Sequence, residues 1–133
     1  MYTPPKRRKL SKDERREVYE KYGRHCAYCG KQMAISDMQV DHLIPMQFYE
    51  AYLKRGVDID TMDNYMPACR SCNHYKDTMT LEKFRQAIEK MPMVLMRDNV
   101  TYRNAVRFGL VTPNPRPIRF YFEQLEEETH DRQ

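Results

Sequence analysis

Four cysteines constrain this 133-residue chain more than any other feature. They fall as Cys26-x2-Cys29 and Cys69-x2-Cys72, with 39 residues between the pairs. Each Cys-x2-Cys knuckle presents two thiolates to one metal ion, and four thiolates close the tetrahedral shell of Zn²⁺. Gly30 directly follows the first pair, where a residue that accepts positive φ helps the turn. The competing readings are a redox dithiol and two disulfides. A redox pair needs a thioredoxin-like βαβ setting, which the flanking sequence lacks. One structural zinc held by Cys26, Cys29, Cys69 and Cys72 is therefore expected. A closed four-thiolate shell has no open position, so this zinc is a staple and not a catalyst.

Composition explains why a staple is needed. The charged fraction is 32% and the mean hydropathy is -0.89. The length fits one domain, and small polar domains often add a disulfide or a metal to an insufficient core. No apolar run approaches the roughly 20 residues of a membrane helix, so no membrane partner is expected. The start of the chain, Met1 to Leu10, has basic residues but no apolar stretch after them, unlike a secretory signal. A reducing cytoplasm is the expected compartment, where cysteines bind metal more often than they pair.

The formal charge of +4 conceals an uneven distribution. Residues 1–31 hold ten Lys/Arg against four acids, and residues 123–133 hold five acids and one Arg. Residues 1–10 read as a disordered basic arm, 11–122 as one domain, and 123–133 as a solvated acidic tail. A basic head attracts polyanions, nucleic acid above all, although such runs also serve solubility alone.

Local signals place the elements coarsely. Ser11-x-x-Glu14 is a capping box that starts a helix at Lys12, with Val18, Tyr19 and Tyr22 as its apolar stripe and Gly23 as its stop. Gln32 to Ile35 and Met38 to Leu43 are β-compatible. Pro45 begins a helix from about Met46 to Arg55, buried through Phe48, Tyr49, Tyr52 and Leu53 and closed by Gly56. Residues 57–68 read as loop, followed by a short helix near Asn73 to Asp77. Further helices run from Leu81 to about Lys90, with Pro92 beyond, and from about Val100 to Phe108. The alternation of Ile118, Phe120 and Phe122 against Arg119 and Tyr121 predicts a C-terminal strand packed on the core.

The segment between the knuckles carries Val40-Asp41-His42-Leu43-Ile44-Pro45, then Asn64-Tyr65-Met66-Pro67-Ala68-Cys69, then Cys72-Asn73-His74-Tyr75-Lys76. In order and spacing these residues closely resemble the HNH endonuclease family over about residues 26–84. The likeness is greatest to small stand-alone HNH proteins of phages and bacteria. Asn73, rather than His, follows the last cysteine, a frequent variant in the family. The resemblance implies an α+β protein: a ββα-metal (His-Me finger) nuclease core with additional helices and one structural zinc.

It also implies a function, hydrolysis of DNA phosphodiester bonds to a 5′ phosphate and a 3′ hydroxyl, one strand per site. Such a reaction needs a base for water and a hard cation at the phosphate. By resemblance His42 is the general base, Asn64 orients it through its side chain or a loop carbonyl, and Asp41 and Asn73 hold a catalytic Mg²⁺ or Mn²⁺. Residues 73 and 74 of a helix point about 100° apart, so His74 is read as a neighbour of the site or a DNA-facing residue. Asp77 shares the helical face of Asn73 and is a candidate assistant to the metal.

Candidate phosphate contacts are Arg70 and Lys76 beside the site, and Arg7, Arg8, Lys9, Lys12, Arg15 and Arg16 in the basic head. The expected partner is double-stranded DNA, in a bacterial host or encoded by a phage, with monomer and dimer both open. The rivals are a zinc-stapled module that binds DNA or RNA without catalysis, and an accessory protein of phage DNA packaging. Catalysis needs Asp41, His42 and Asn73 to converge on one point, whereas a binding module does not.

Overall fold

A computed structural model describes residues 6–131, and side chains as far as Thr129. The expected disorder of residues 1–5 and the end of the acidic tail at 132–133 lie outside the described residues. The described chain divides into two compact units, residues 6–81 with 120–131, and residues 82–119.

In the first unit, α1 (Lys12–Glu20) starts at Ser11, whose side chain accepts from the Glu14 N–H while Glu14 reaches back to the Ser11 N–H. This is the reciprocal capping box the sequence predicts. Val18 and Tyr19 carry α1 into the core, and the Tyr19 hydroxyl donates to the Met33 carbonyl. The Arg15 guanidinium donates to the carbonyls of Ile35 and Met38, which ties α1 to the chain entering β1 (Gln39–His42).

β1 pairs antiparallel with β2 (Tyr65–Ala68), from Gln39 opposite Ala68 to His42 opposite Tyr65. β2 corrects the reading of 57–68 as uninterrupted loop. Its four residues are all buried and include Pro67, so neither alternation nor composition marks a strand. Between the strands a 3-10 turn at Met46–Phe48 leads into α2 (Tyr49–Lys54). The buried face expected there is weaker than its pattern, since Leu53 is 48% exposed.

β2 runs directly into Cys69, which caps α3 (Arg70–Lys76) by accepting the Cys72 N–H on its sulfur. The sheet and α3 form the expected ββα core, and the two knuckles flank it. The first knuckle hooks onto β2, with the Ala27 N–H donating to the Pro67 carbonyl.

The C-terminal segment differs from expectation. No strand forms at 117–122; α7 (Tyr121–Asp131) begins where the strand was expected to end. The N–H groups of Tyr121 and Phe122 donate to the carbonyls of Tyr28 and Ala27, and the Phe120 N–H donates to the Glu123 carboxylate. Phe120 and Phe122 are buried as the pattern suggested, against the Tyr28 ring at 5.5 and 6.3 Å. The acidic stretch through Asp131 is helical rather than frayed.

The second unit holds most of α4 (Leu81–Glu89), with α5 (Met91–Asp98) and α6 (Val100–Arg107). Pro92 lies in the first turn of α5, a helix the sequence reading missed by taking this proline as a boundary. Asn99 ends α5 and caps α6, its side chain accepting the Tyr102 N–H. Among the described residues no helix is long and apolar enough to cross a membrane.

Candidate active site and zinc centre

The sulfurs of Cys26, Cys29, Cys69 and Cys72 all lie within 4.8 Å of one another. Four Zn–S bonds of about 2.3 Å at tetrahedral angles set sulfurs about 3.8 Å apart, and the Cys29 and Cys69 sulfurs stand at 3.8 Å. The Cys26 thiol is drawn down to about 4, chiefly by a hydrogen bond from Cys72, which is itself raised by that same bond. Burial pushes Cys29 up to about 11. Four thiolates at this spacing require a divalent cation, and the geometry and donor set fit one structural zinc.

From this staple β1 and α3 meet in two rungs. Residues 39 and 41 share one face of the strand, and residues 73 and 76 share one face of the helix. The Asn73 amide donates to Gln39 Oε1 at 2.6 Å. The Lys76 ammonium lies 3.0 Å from Asp41 Oδ2, which also accepts the Tyr28 hydroxyl at 2.5 Å. Among the described residues, no protein hydrogen bond falls on Oδ1 of Asp41 or on Oδ1 of Asn73. Two hard oxygens held by their neighbouring atoms suit Mg²⁺ or Mn²⁺.

Lys76 requires a correction. It is fully buried, and its ammonium is engaged by Asp41 and the His42 carbonyl. It braces the sheet against α3 and is not available to a DNA phosphate in this structure. Arg70 and His74 are exposed and line a polar groove with Gln39 and Asn73. Asp77 also borders this groove, but its φ of 47° takes it out of helical geometry. The helical spacing used to pair it with Asn73 does not apply.

His42 ends β1 and turns to other partners. Its Nε2 lies 2.8 Å from Asp60 Oδ1, and its ring stands edge-on to Tyr65. Its Nδ1 is the one buried side-chain nitrogen or oxygen among the described residues without a hydrogen-bond partner. Asp60 also accepts the Tyr65 hydroxyl at 2.8 Å and the Arg8 N–H at 2.7 Å. Burial works against its charge, but the bonds from His42, Arg8 and Tyr65 outweigh that and hold the carboxyl below its ordinary range.

Asn64 makes no bond to His42. Its side chain accepts the Ile44 N–H and donates to the carbonyls of Ile44 and Ile59. It therefore pins the segment after His42 to the segment before Asp60. The structure brings Asp41 and Asn73 to one face of β1, while the His42 ring leaves toward Asp60; Lys76 reaches both Asp41 and the His42 carbonyl, but the three side chains share no hydrogen-bond partner. Asp60 was missed by the sequence reading. Its only signal is an acidic residue in the loop before Asn64, and its partner stands 18 positions away.

The basic head is divided as well. Arg8 donates to Glu14 and Tyr65, and Arg15 to backbone carbonyls, so both are engaged within the protein. Arg7, Lys9, Lys12 and Arg16 are exposed.

An antiparallel pair leading into a helix, closed by a four-thiolate zinc site, defines a zinc-stapled ββα-metal fold. The HNH endonuclease family model matches residues 26–78, and the four-cysteine cluster at this stretch is consistent with the zinc-binding type of that family. No curated protein matches the chain.

Proposed function

We propose that the protein is a metal-dependent DNA endonuclease, hydrolysing phosphodiester bonds one strand per site to leave a 5′ phosphate and a 3′ hydroxyl. The observation that carries this reading is the state of His42. One ring nitrogen is tied to a carboxylate, and the other is buried with no partner. With the proton on Nε2, the Nδ1 lone pair is the base that takes a proton from the attacking water. Asn64 fixes the backbone on either side of this pair.

Asp41 and Asn73 would hold the catalytic Mg²⁺ or Mn²⁺ through their two Oδ1 atoms. That ion supplies charge neutralisation at the phosphate and the leaving oxygen. Lys76 keeps the Asp41 carboxylate aimed by holding its other oxygen. Arg70 sits on the exposed rim beside Asn73, where a phosphate can reach it.

A second reading, a zinc-stapled nucleic-acid-binding module without catalysis, is favoured by the separate side-chain partners of Asp41, His42 and Asn73. A supercoiled-plasmid assay with added Mg²⁺ or Mn²⁺ separates the two. Nicked circles are expected from the native chain, and their loss by about 10²-fold or more from His42→Ala at unchanged zinc content. DNA binding with no nicking by the native chain would establish the second reading instead.

A further inference from the structure

We propose that Asp60 is the positioning residue of His42, and that the main chain at Arg8 braces Asp60 in that role. The inference rests on His42 being the base.

Every bond of the Asp60 carboxylate points the same way. Oδ1 receives His42 Nε2 at 2.8 Å and the Tyr65 hydroxyl at 2.8 Å, and Oδ2 receives the Arg8 N–H at 2.7 Å. The Asp60 N–H is itself fixed by Asp58 at 2.8 Å. An ionised carboxylate only accepts hydrogen bonds, so the His42 nitrogen facing it must carry the proton. The neutral ring is then held as the Nε2–H form, with the lone pair on Nδ1. Nδ1 is also the buried atom that lacks a partner among the described residues, so the carboxylate and the unpartnered atom select the same tautomer.

The brace comes from the N-terminal segment, 52 residues away in sequence. Arg8 is held in turn by the Glu14 carboxylate at 2.7 Å and by Tyr65, whose ring lies 5.4 Å beneath its guanidinium. Glu14 belongs to the capping box of α1. The start of α1 thus fixes Arg8, Arg8 fixes Asp60, and Asp60 fixes the base. Residues 6–10, which read as part of a disordered arm, complete the site at Arg8.

The test uses the full zinc-loaded chain and two independent readouts. Long-range ¹H–¹⁵N correlation of the neutral His42 ring should show Nε2 protonated and Nδ1 bare in the native protein. Asp60→Asn, checked for zinc content and cooperative unfolding, should lose that single pattern. Its kcat for plasmid nicking should fall by about 10²-fold, with KM for DNA unchanged. A proton on Nδ1 in the native chain, or native tautomer and kcat in folded Asp60→Asn, would overturn the proposal.

Arg8→Ala removes the side-chain hold but keeps the main-chain N–H that Asp60 accepts, whereas Arg8→Pro removes both, so Arg8→Pro should lower kcat well beyond Arg8→Ala. Equal effects of the two would dismiss the brace, and this comparison decides if Asp60→Asn does not fold. A native chain that shows the Nε2–H form yet never nicks DNA would sink the nuclease reading while leaving the Asp60 hold on His42 in place.

Discussion

A Cβ added to Gly30 would stand 2.9 Å from Cδ2 and 3.2 Å from Cγ of Tyr121, on a backbone whose φ is +79°. The position is therefore constrained twice, by the left-handed turn of the first knuckle and by the close approach of α7. Gly30→Ala should cost about 1–3 kcal/mol in denaturant unfolding of the zinc-loaded protein. Gly30→Asn tolerates the turn but still carries the Cβ, so it should recover only part of that loss. Asp60 yields a prediction in pH. Its folded carboxyl titrates below its ordinary value, so its contribution to stability is present at neutral pH and is lost as pH falls through the ordinary value toward the folded one. The stability gap between the native chain and Asp60→Asn should thus be widest near neutrality and shrink below about pH 4 in urea titrations. Neither constraint can be read at its own position in the sequence. Gly30 is legible as a turn residue, but the Tyr121 ring over it is not. Asp60 acquires its meaning only when Asn64 and the β1–β2 register bring it to His42. Lys76 was recognisable as a motif residue, yet its burial follows from pairing with Asp41 across two elements.

At the scale of elements, the strongest sequence signals were those with a local cause. The capping box of α1 and the two knuckles are set by residues within a few positions of one another, and the structure shows them where the spacing puts them. β2, α5 and α7 depended on distant partners. β2 is a strand because β1 pairs with it and the first knuckle takes its Pro67 carbonyl, while its own residues include a proline. The alternating Phe120 and Phe122 meet the core in a helix start rather than a strand, because their N–H partners are knuckle carbonyls and not a sheet edge. Cys69 joins these elements, since it is at once a zinc ligand, the residue after β2 and the cap of α3. Cys69→Ser should lower bound zinc from one per chain to none by metal analysis, with loss of cooperative unfolding. Chelation of the native chain should do the same, because binding energy of a structural zinc is folding energy.

Across the whole molecule, the net charge of +4 is less informative than the division of its cations into two groups. Arg8, Arg15 and Lys76 are committed to carboxylates, carbonyls or a tyrosine within the protein, while Arg7, Lys9, Lys12 and Arg16 are exposed. Counterion release depends on how many cations sit on phosphates, not on how many the chain contains. Binding of a DNA duplex by the native chain should therefore weaken steeply with salt. Changing Arg7, Lys9, Lys12 and Arg16 together to Gln should reduce the slope of log affinity against log salt by about 3–4 if all four contact phosphate. Arg15→Gln should leave that slope unchanged and instead lower thermal stability, because it removes the tie from α1 to the chain entering β1. An equal loss of slope from Arg15→Gln would mean that its carbonyl contacts give way to DNA. The two-group division of the basic head would then fail, while the zinc core and the His42 pair would stand on their own observations.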